Sequence, residues 1–64
     1  MFYIWHQQLD GFWKELTNEG AFWTEREAIH RAERLRDELG YMGLLQVRDE
    51  QNFEIRLIGE DWNK

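Results

Sequence analysis

The stretch GAFWTEREAIHRAERLRDELGY, residues 20–41, divides the chain in two. Thr24 and Glu27 stand at the spacing of a capping box, in which the Thr hydroxyl accepts from the N3 amide and the Glu reaches back to the cap. Trp23 and Ala28 occupy the flanking hydrophobic-staple positions. Ala28, Ile29, Ala32, Leu35 and Leu39 recur at the three-to-four spacing of one helical face. Gly40 follows the last of them, as expected of a residue that must take positive φ beyond a helix end. The pattern predicts a helix over 25–39.

On each side lies a hairpin. Asp10-Gly11 suits a two-residue type I′ turn. With that turn, Leu9 faces Phe12, Gln7 faces Lys14, and Trp5 faces Leu16, so residues 2–9 and 12–18 are strands. Asn18-Glu19-Gly20 breaks the second strand. After the helix, LLQV (44–47) and FEIRLI (53–58) are strand-like. A three-residue loop at Glu50-Gln51-Asn52 pairs Val47 with Ile55, Leu45 with Leu57, and Arg48 with Glu54 on the other face. Asn52 then takes the left-handed position, which Asn tolerates. The order ββαββ describes an α+β domain: a four-stranded antiparallel sheet with one helix packed on one face.

The chain has 64 residues and fits a single domain, 1–64. So short a chain buries about 60% of its unfolded surface, which leaves stability marginal. It contains no cysteine, so neither disulfides nor thiolate chemistry contribute. Its four Trp, two Tyr and four Phe are the available means of enlarging a small core. Thirteen Asp/Glu against eight Lys/Arg give a formal net charge of −5. That balance argues against duplex DNA as a partner and against an anionic lipid surface. No apolar run is long enough to span a membrane, and MFYIWHQQ lacks the basic and apolar regions of a signal peptide. The expected location is the cytoplasm.

The aromatic doublets pose the functional question. Neighbouring strand residues point to opposite faces, so Phe12-Trp13 cannot bury both rings in one core. The expected turn puts Tyr3, Trp5, Leu9, Phe12 and Leu16 on the helix-facing side. It leaves Phe2, Ile4 and Trp13 on the other, beside His6, Gln8, Glu15 and Thr17. An apolar face of that kind marks an interaction site. Two alternatives stay open: the tail with Trp62 covers that face, or a longer turn shifts the register by one and swaps the faces.

Signatures of chemistry are few. No phosphate loop, nucleophile elbow or metalloprotease motif occurs, and the chain has no Ser. His6 and His30 are isolated, and a metal centre needs three or four convergent ligands. Neither a metal nor an organic cofactor is expected. Glu33/Asp37 and Asp49/Glu50 are the pattern of solvated charge, and Glu27–Arg31 and Arg34–Glu38 are helix-supporting pairs. The chain is therefore expected not to be an enzyme. Arg26, His30 and Arg34 line the outer helix face, where an anion could bind, but acids lace the same face. Glu15, Glu19, Asp49, Glu50, Glu54, Glu60 and Asp61 suit docking onto a basic groove.

Residues 20–59, with GAFWTEREAIHRAERLRDELGY followed by FEIRLIG, resemble part of a SPOR domain, the bacterial peptidoglycan-binding module, without its second helix. The glycan-binding role is not carried over. In size, acidity and compact sheet-plus-helix plan the chain is also similar to small phage anti-CRISPR and other anti-defence proteins. That resemblance implies inhibition by occlusion and transfers no residues.

The leading expectation is a non-enzymatic protein-binding module, of the phage inhibitor or small regulator type. It would occlude a surface on a larger macromolecule, such as a basic nucleic-acid-binding groove of a complex. The contact residues expected are Phe2, Ile4, Trp13, Glu15, Glu19, Asp49, Glu50 and Glu54. The alternatives are a homodimerising structural module and a single-stranded nucleic-acid binder with bases stacked on Phe2 and Trp13.

Overall fold

The computed structural model describes residues 1–59. The elements run β1 (Phe2–Gln7), β2 (Trp13–Glu15), a 3-10 turn (Thr17–Glu19), α1 (Glu25–Asp37), β3 (Leu44–Asp49) and β4 (Glu54–Gly59). The strands form one antiparallel sheet in the order β2-β1-β3-β4. The helix packs across β1, β3 and β4 on one face. The protein is an α+β domain of the expected ββαββ plan.

The helix begins where its cap predicts. Thr24 is extended at φ −124° and ψ 152°, and its hydroxyl oxygen accepts from the Glu27 amide at 3.1 Å. The reciprocal half differs: the Thr24 hydroxyl and Glu27 Oε1 bond at 3.0 Å, rather than the Glu reaching the cap amide. Trp23 is 79% exposed and makes no staple. At the other end Gly40 takes φ 70°, and the Tyr41 amide returns to the Leu35 carbonyl at 3.1 Å. Leu39 lies beyond the helix and is exposed.

The core is Ile4, Ala28, Ala32, Leu35, Leu45, Val47 and Ile58, with Phe2, Leu16, Phe22, Ile29, Tyr41 and Ile55 packed at its margin. Burying a branched aliphatic side chain contributes about 1.5–3 kcal/mol. Ala28 and Ala32 are small enough to let the helix lie close over the sheet, where side-chain size sets the separation.

The first hairpin departs from expectation. Its loop is Leu9-Asp10-Gly11, closed by the Gln8 amide donating to the Phe12 carbonyl at 2.7 Å and the Gly11 amide to the Gln8 carbonyl at 2.9 Å. Gly11 takes the single positive φ of the loop, 94°. This is the three-residue form, a turn followed by a left-handed residue, not the two-residue type I′ form. Asp10 Oδ1 accepts from the Phe12 amide at 3.0 Å and tightens it. The extra loop residue pairs Trp5 with Glu15, His6 with Lys14 and Gln7 with Trp13.

The expected core face is therefore corrected for β1. A one-residue slip turns each side chain of a strand to the other side. Ile4 faces the helix and is fully buried, while Tyr3 and Trp5 face away; Leu9 and Phe12 are exposed at the loop. The face of β2 is as expected, with Leu16 against the core and Trp13 opposite. The β1–β3 ladder explains the choice. It sets Ile4 against Val47 and His6 against Leu45, and Trp5 and Tyr3 against Gln46 and Arg48. Branched aliphatic side chains thus share the buried side, and the polar residues of β3 share the other.

The second hairpin keeps its predicted loop. Asn52 has φ 66°, its amide donates to the Asp49 carbonyl at 3.0 Å, and Asp49 Oδ1 accepts from the amides of Gln51 and Phe53. Arg48 pairs with Glu54 as expected, but a bulge between Val47 and Arg48 then shifts the register, so Val47 meets Arg56 and Leu45 meets Ile58. The bulge brings both Ile55 and Ile58 to the core and turns Leu57 outward.

The chain between β2 and α1 is fastened twice. Phe2 and Phe22 exchange two backbone bonds of 2.8 Å. Glu19, only 10% exposed, takes a forked pair from Arg31, with Nε at 2.5 Å and a second nitrogen at 3.3 Å. That hydrogen bond raises the Arg31 pKa, against a smaller opposing effect of burial. Arg31 thus pairs with Glu19 and not with Glu27, whereas Arg34–Glu38 forms as expected.

Candidate protein-binding face of the sheet

The face of the sheet turned away from α1 is built by alternation along four strands. β1 supplies Tyr3, Trp5 and Gln7; β2 supplies Trp13 and Glu15; β3 supplies Gln46 and Arg48; β4 supplies Glu54 and Leu57. No helix among the described residues lies on this side.

Its centre is a stacked cation. The Arg48 guanidinium carbon lies 4.2 Å from the Trp5 ring centre and 5.6 Å from that of Trp13. Both distances fall within the range over which an aromatic face attracts a cation. Arg48 Nε also donates to Gln46 Oε1, and the Gln46 amide donates to Glu54 Oε1. Gln46 is only 8% exposed, and its side-chain bonds offset the cost of burying an amide. The chain of contacts from Trp13 to Glu54 crosses all four strands and holds the face in one arrangement.

Three of the expected contact residues lie here: Trp13, Glu15 and Glu54. The other five do not join them. Ile4 is fully buried under the helix, and Phe2 packs at the core margin. The shifted β1 register removes both from the expected aromatic surface. Glu19 is spent on Arg31, Asp49 on its own turn, and Glu50 on the Met1 ammonium group. The expected acidic rim is thus dispersed into separate structural roles; its members Glu60 and Asp61, and Trp62 as a cover, lie outside the described residues.

Arg48 falls opposite Glu54 as expected, while Tyr3, Trp5 and Leu57 are the residues of this face that the expected registers put on the core side. Their signal was the alternation of Val47 and Leu45 with Gln46 and Arg48, which labels the two faces of β3 independently of the first turn.

The outer helix face offers less. Glu25, Arg26, Ile29, His30 and Glu33 line a shallow hollow. It has both charge signs, and Arg34, the next cation along this helix face, is paired with Glu38 at 2.9 Å. Among the described residues no set of three or more His, Cys, Asp or Glu is arranged to hold a metal ion. No protein-family model matches the chain, and neither the curated proteins nor the solved structures give a match.

Proposed function

We propose that this chain is a non-enzymatic binding protein that works by seating its open sheet face on a larger protein and occluding the surface beneath. The observation that carries this reading is the one-sided sheet: α1 covers one face, while the other carries Tyr3, Trp5, Trp13, Arg48 and Leu57. Aromatic residues and Arg are the types enriched at the centres of protein interfaces. The Arg48–Gln46–Glu54 chain fixes this face before contact, so little side-chain freedom is lost on docking. Inhibition or regulation by occlusion needs no catalytic group. No helix among the described residues is long and apolar enough to cross a membrane, and the reading places the protein in the cytoplasm.

A single-stranded nucleic acid is the second reading, favoured by three aromatic side chains on one sheet face. Against it, the face carries one cation among the described residues, Arg48, beside Glu15 and Glu54, and affinity for a phosphate backbone scales with cationic contacts.

The test is comparative capture from the source host. The native chain, a Trp5→Ala/Trp13→Ala variant and an Arg26→Ala/Arg34→Ala variant are immobilised, and retained proteins are identified by mass spectrometry. A protein held by the native and helix variants and lost from the sheet variant supports the reading. Retention by all three, or loss from the helix variant alone, overturns it.

A further inference from the structure

We propose that Trp5, Trp13 and Glu15 form a seat for a cationic side chain, foremost arginine, presented by the partner protein. This rests on the open sheet face being the docking surface and names the chemistry that surface takes. The register creates the seat: Glu15 lies directly opposite Trp5, and Trp13 lies two residues from Glu15 on the same side of β2. Two indoles thus flank one carboxylate on the same face.

Arg48 shows that the rings accept a guanidinium, since its own stands over Trp5 at 4.2 Å and beside Trp13 at 5.6 Å. It uses the seat incompletely. The Trp13 contact is the looser of the two, and Arg48 Nε is committed to Gln46. Glu15 is the second, independent observation. It is half-buried, and its carboxylate has no hydrogen bond or ion pair among the described residues. The other carboxylate of this face, Glu54, already accepts from Gln46 at 2.5 Å. A half-buried carboxylate without a partner is unfavourable, and an incoming cation removes that cost.

Charge selects the occupant. The chain has a net charge of −5, which steers basic surfaces toward it. A phosphate or an acidic side chain brought between the indoles would meet Glu15 at close range. Arginine suits the seat better than lysine, because a planar guanidinium stacks on a ring while its edge remains free to bond a carboxylate.

The experiment titrates the isotope-labelled chain with a hexa-arginine peptide, then hexa-lysine and hexa-glutamate, and follows the indole N–H resonances by NMR. Trp23, 79% exposed and off this face, is the internal control. The Trp5 and Trp13 signals should shift saturably with hexa-arginine, less with hexa-lysine and not with hexa-glutamate, while Trp23 stays in place. Glu15→Gln should weaken the hexa-arginine response about threefold to fivefold, the upper end of what one ion pair near the surface contributes. Arg48→Ala, checked for folding by its unchanged Trp23 and amide spectrum, should strengthen the response by removing the resident cation. Equal shifts at Trp23, or an unchanged response in Glu15→Gln, would overturn the seat. If Trp5 and Trp13 do not respond while the sheet variant still loses its captured protein, the docking face stands and the seat falls. If the helix variant alone loses that protein, the docking face itself is wrong.

Discussion

Ile4 stands directly opposite Val47 in the β1–β3 ladder, and both side chains are completely buried. This pair fixes which side of β1 meets the helix. Ile4→Ala should therefore cost about 2–5 kcal/mol, the range for truncating a buried aliphatic side chain. Phe12→Ala, at a residue 76% exposed, should change stability by about 0.5 kcal/mol or less. Urea unfolding of the two variants distinguishes them, and a larger loss for Phe12→Ala would restore the two-residue turn.

The indole of Trp13 sits on the uncovered face beside Arg48. Trp13→Ala should leave circular dichroism and the unfolding midpoint close to native. Partner binding should fall by about 2 kcal/mol or more, as for a central aromatic contact. Unfolding of the variant would mean that this face is part of the core.

Thr24 accepts the Glu27 amide at the start of α1. Its replacement by Ala should lower stability by about 0.5–2 kcal/mol, and Thr24→Asp should retain most of it. The urea midpoint should move at unchanged slope, since the exposed surface on unfolding is the same.

Gly59 lies at φ 96°, and a Cβ there would stand 2.8 Å from the Gly43 carbonyl oxygen. Gly59→Ala incurs the left-handed penalty of about 1–2 kcal/mol and an overpacking cost of about 1–3 kcal/mol. Gly40→Ala has similar backbone strain with nothing within 4 Å, so it should incur the first cost alone. Thermal melts of the pair isolate the steric part.

Titration with single-stranded oligothymidylate and oligouridylate at low salt should leave tryptophan fluorescence without saturable quenching. Micromolar binding that weakens steeply with salt would favour the nucleic-acid reading instead.

The elements that sequence made legible are those set by neighbours along the chain. The Thr24–Glu27 cap, the stripe through Leu35 and the left-handed Asn52 each depend on a few adjacent residues. Asp10-Gly11 is less decisive, because a Gly at its position closes either a two-residue or a three-residue loop. The choice fell to β3, whose Val47 and Leu45 accept Ile4 on their own side. The bulge beside Val47 was hidden for a similar reason: Ile55 and Ile58 both reach the core only when alternation is broken between them. Trp13, Glu15 and Glu54 were placed on the correct surface by alternation within their own strands. Trp5 was not, since its side is set by β3; Arg48 was expected opposite Glu54 on that side, but its meeting with Trp5 depends on two strands distant in sequence.

The central position of β1 also bears on how the polypeptide is made. β1 must wait for β3 before its inner ladder can form. A nascent chain that ends after α1 holds a hairpin and a helix but lacks Leu45, Val47 and Ile58, most of the sheet side of the core. A two-stranded hairpin is marginal in water, and pairing across most of a chain is slow because its closure entropy precedes its reward. Assembly of the core therefore follows synthesis of the second hairpin, with Trp5 and Ile4 both open to solvent until that hairpin arrives.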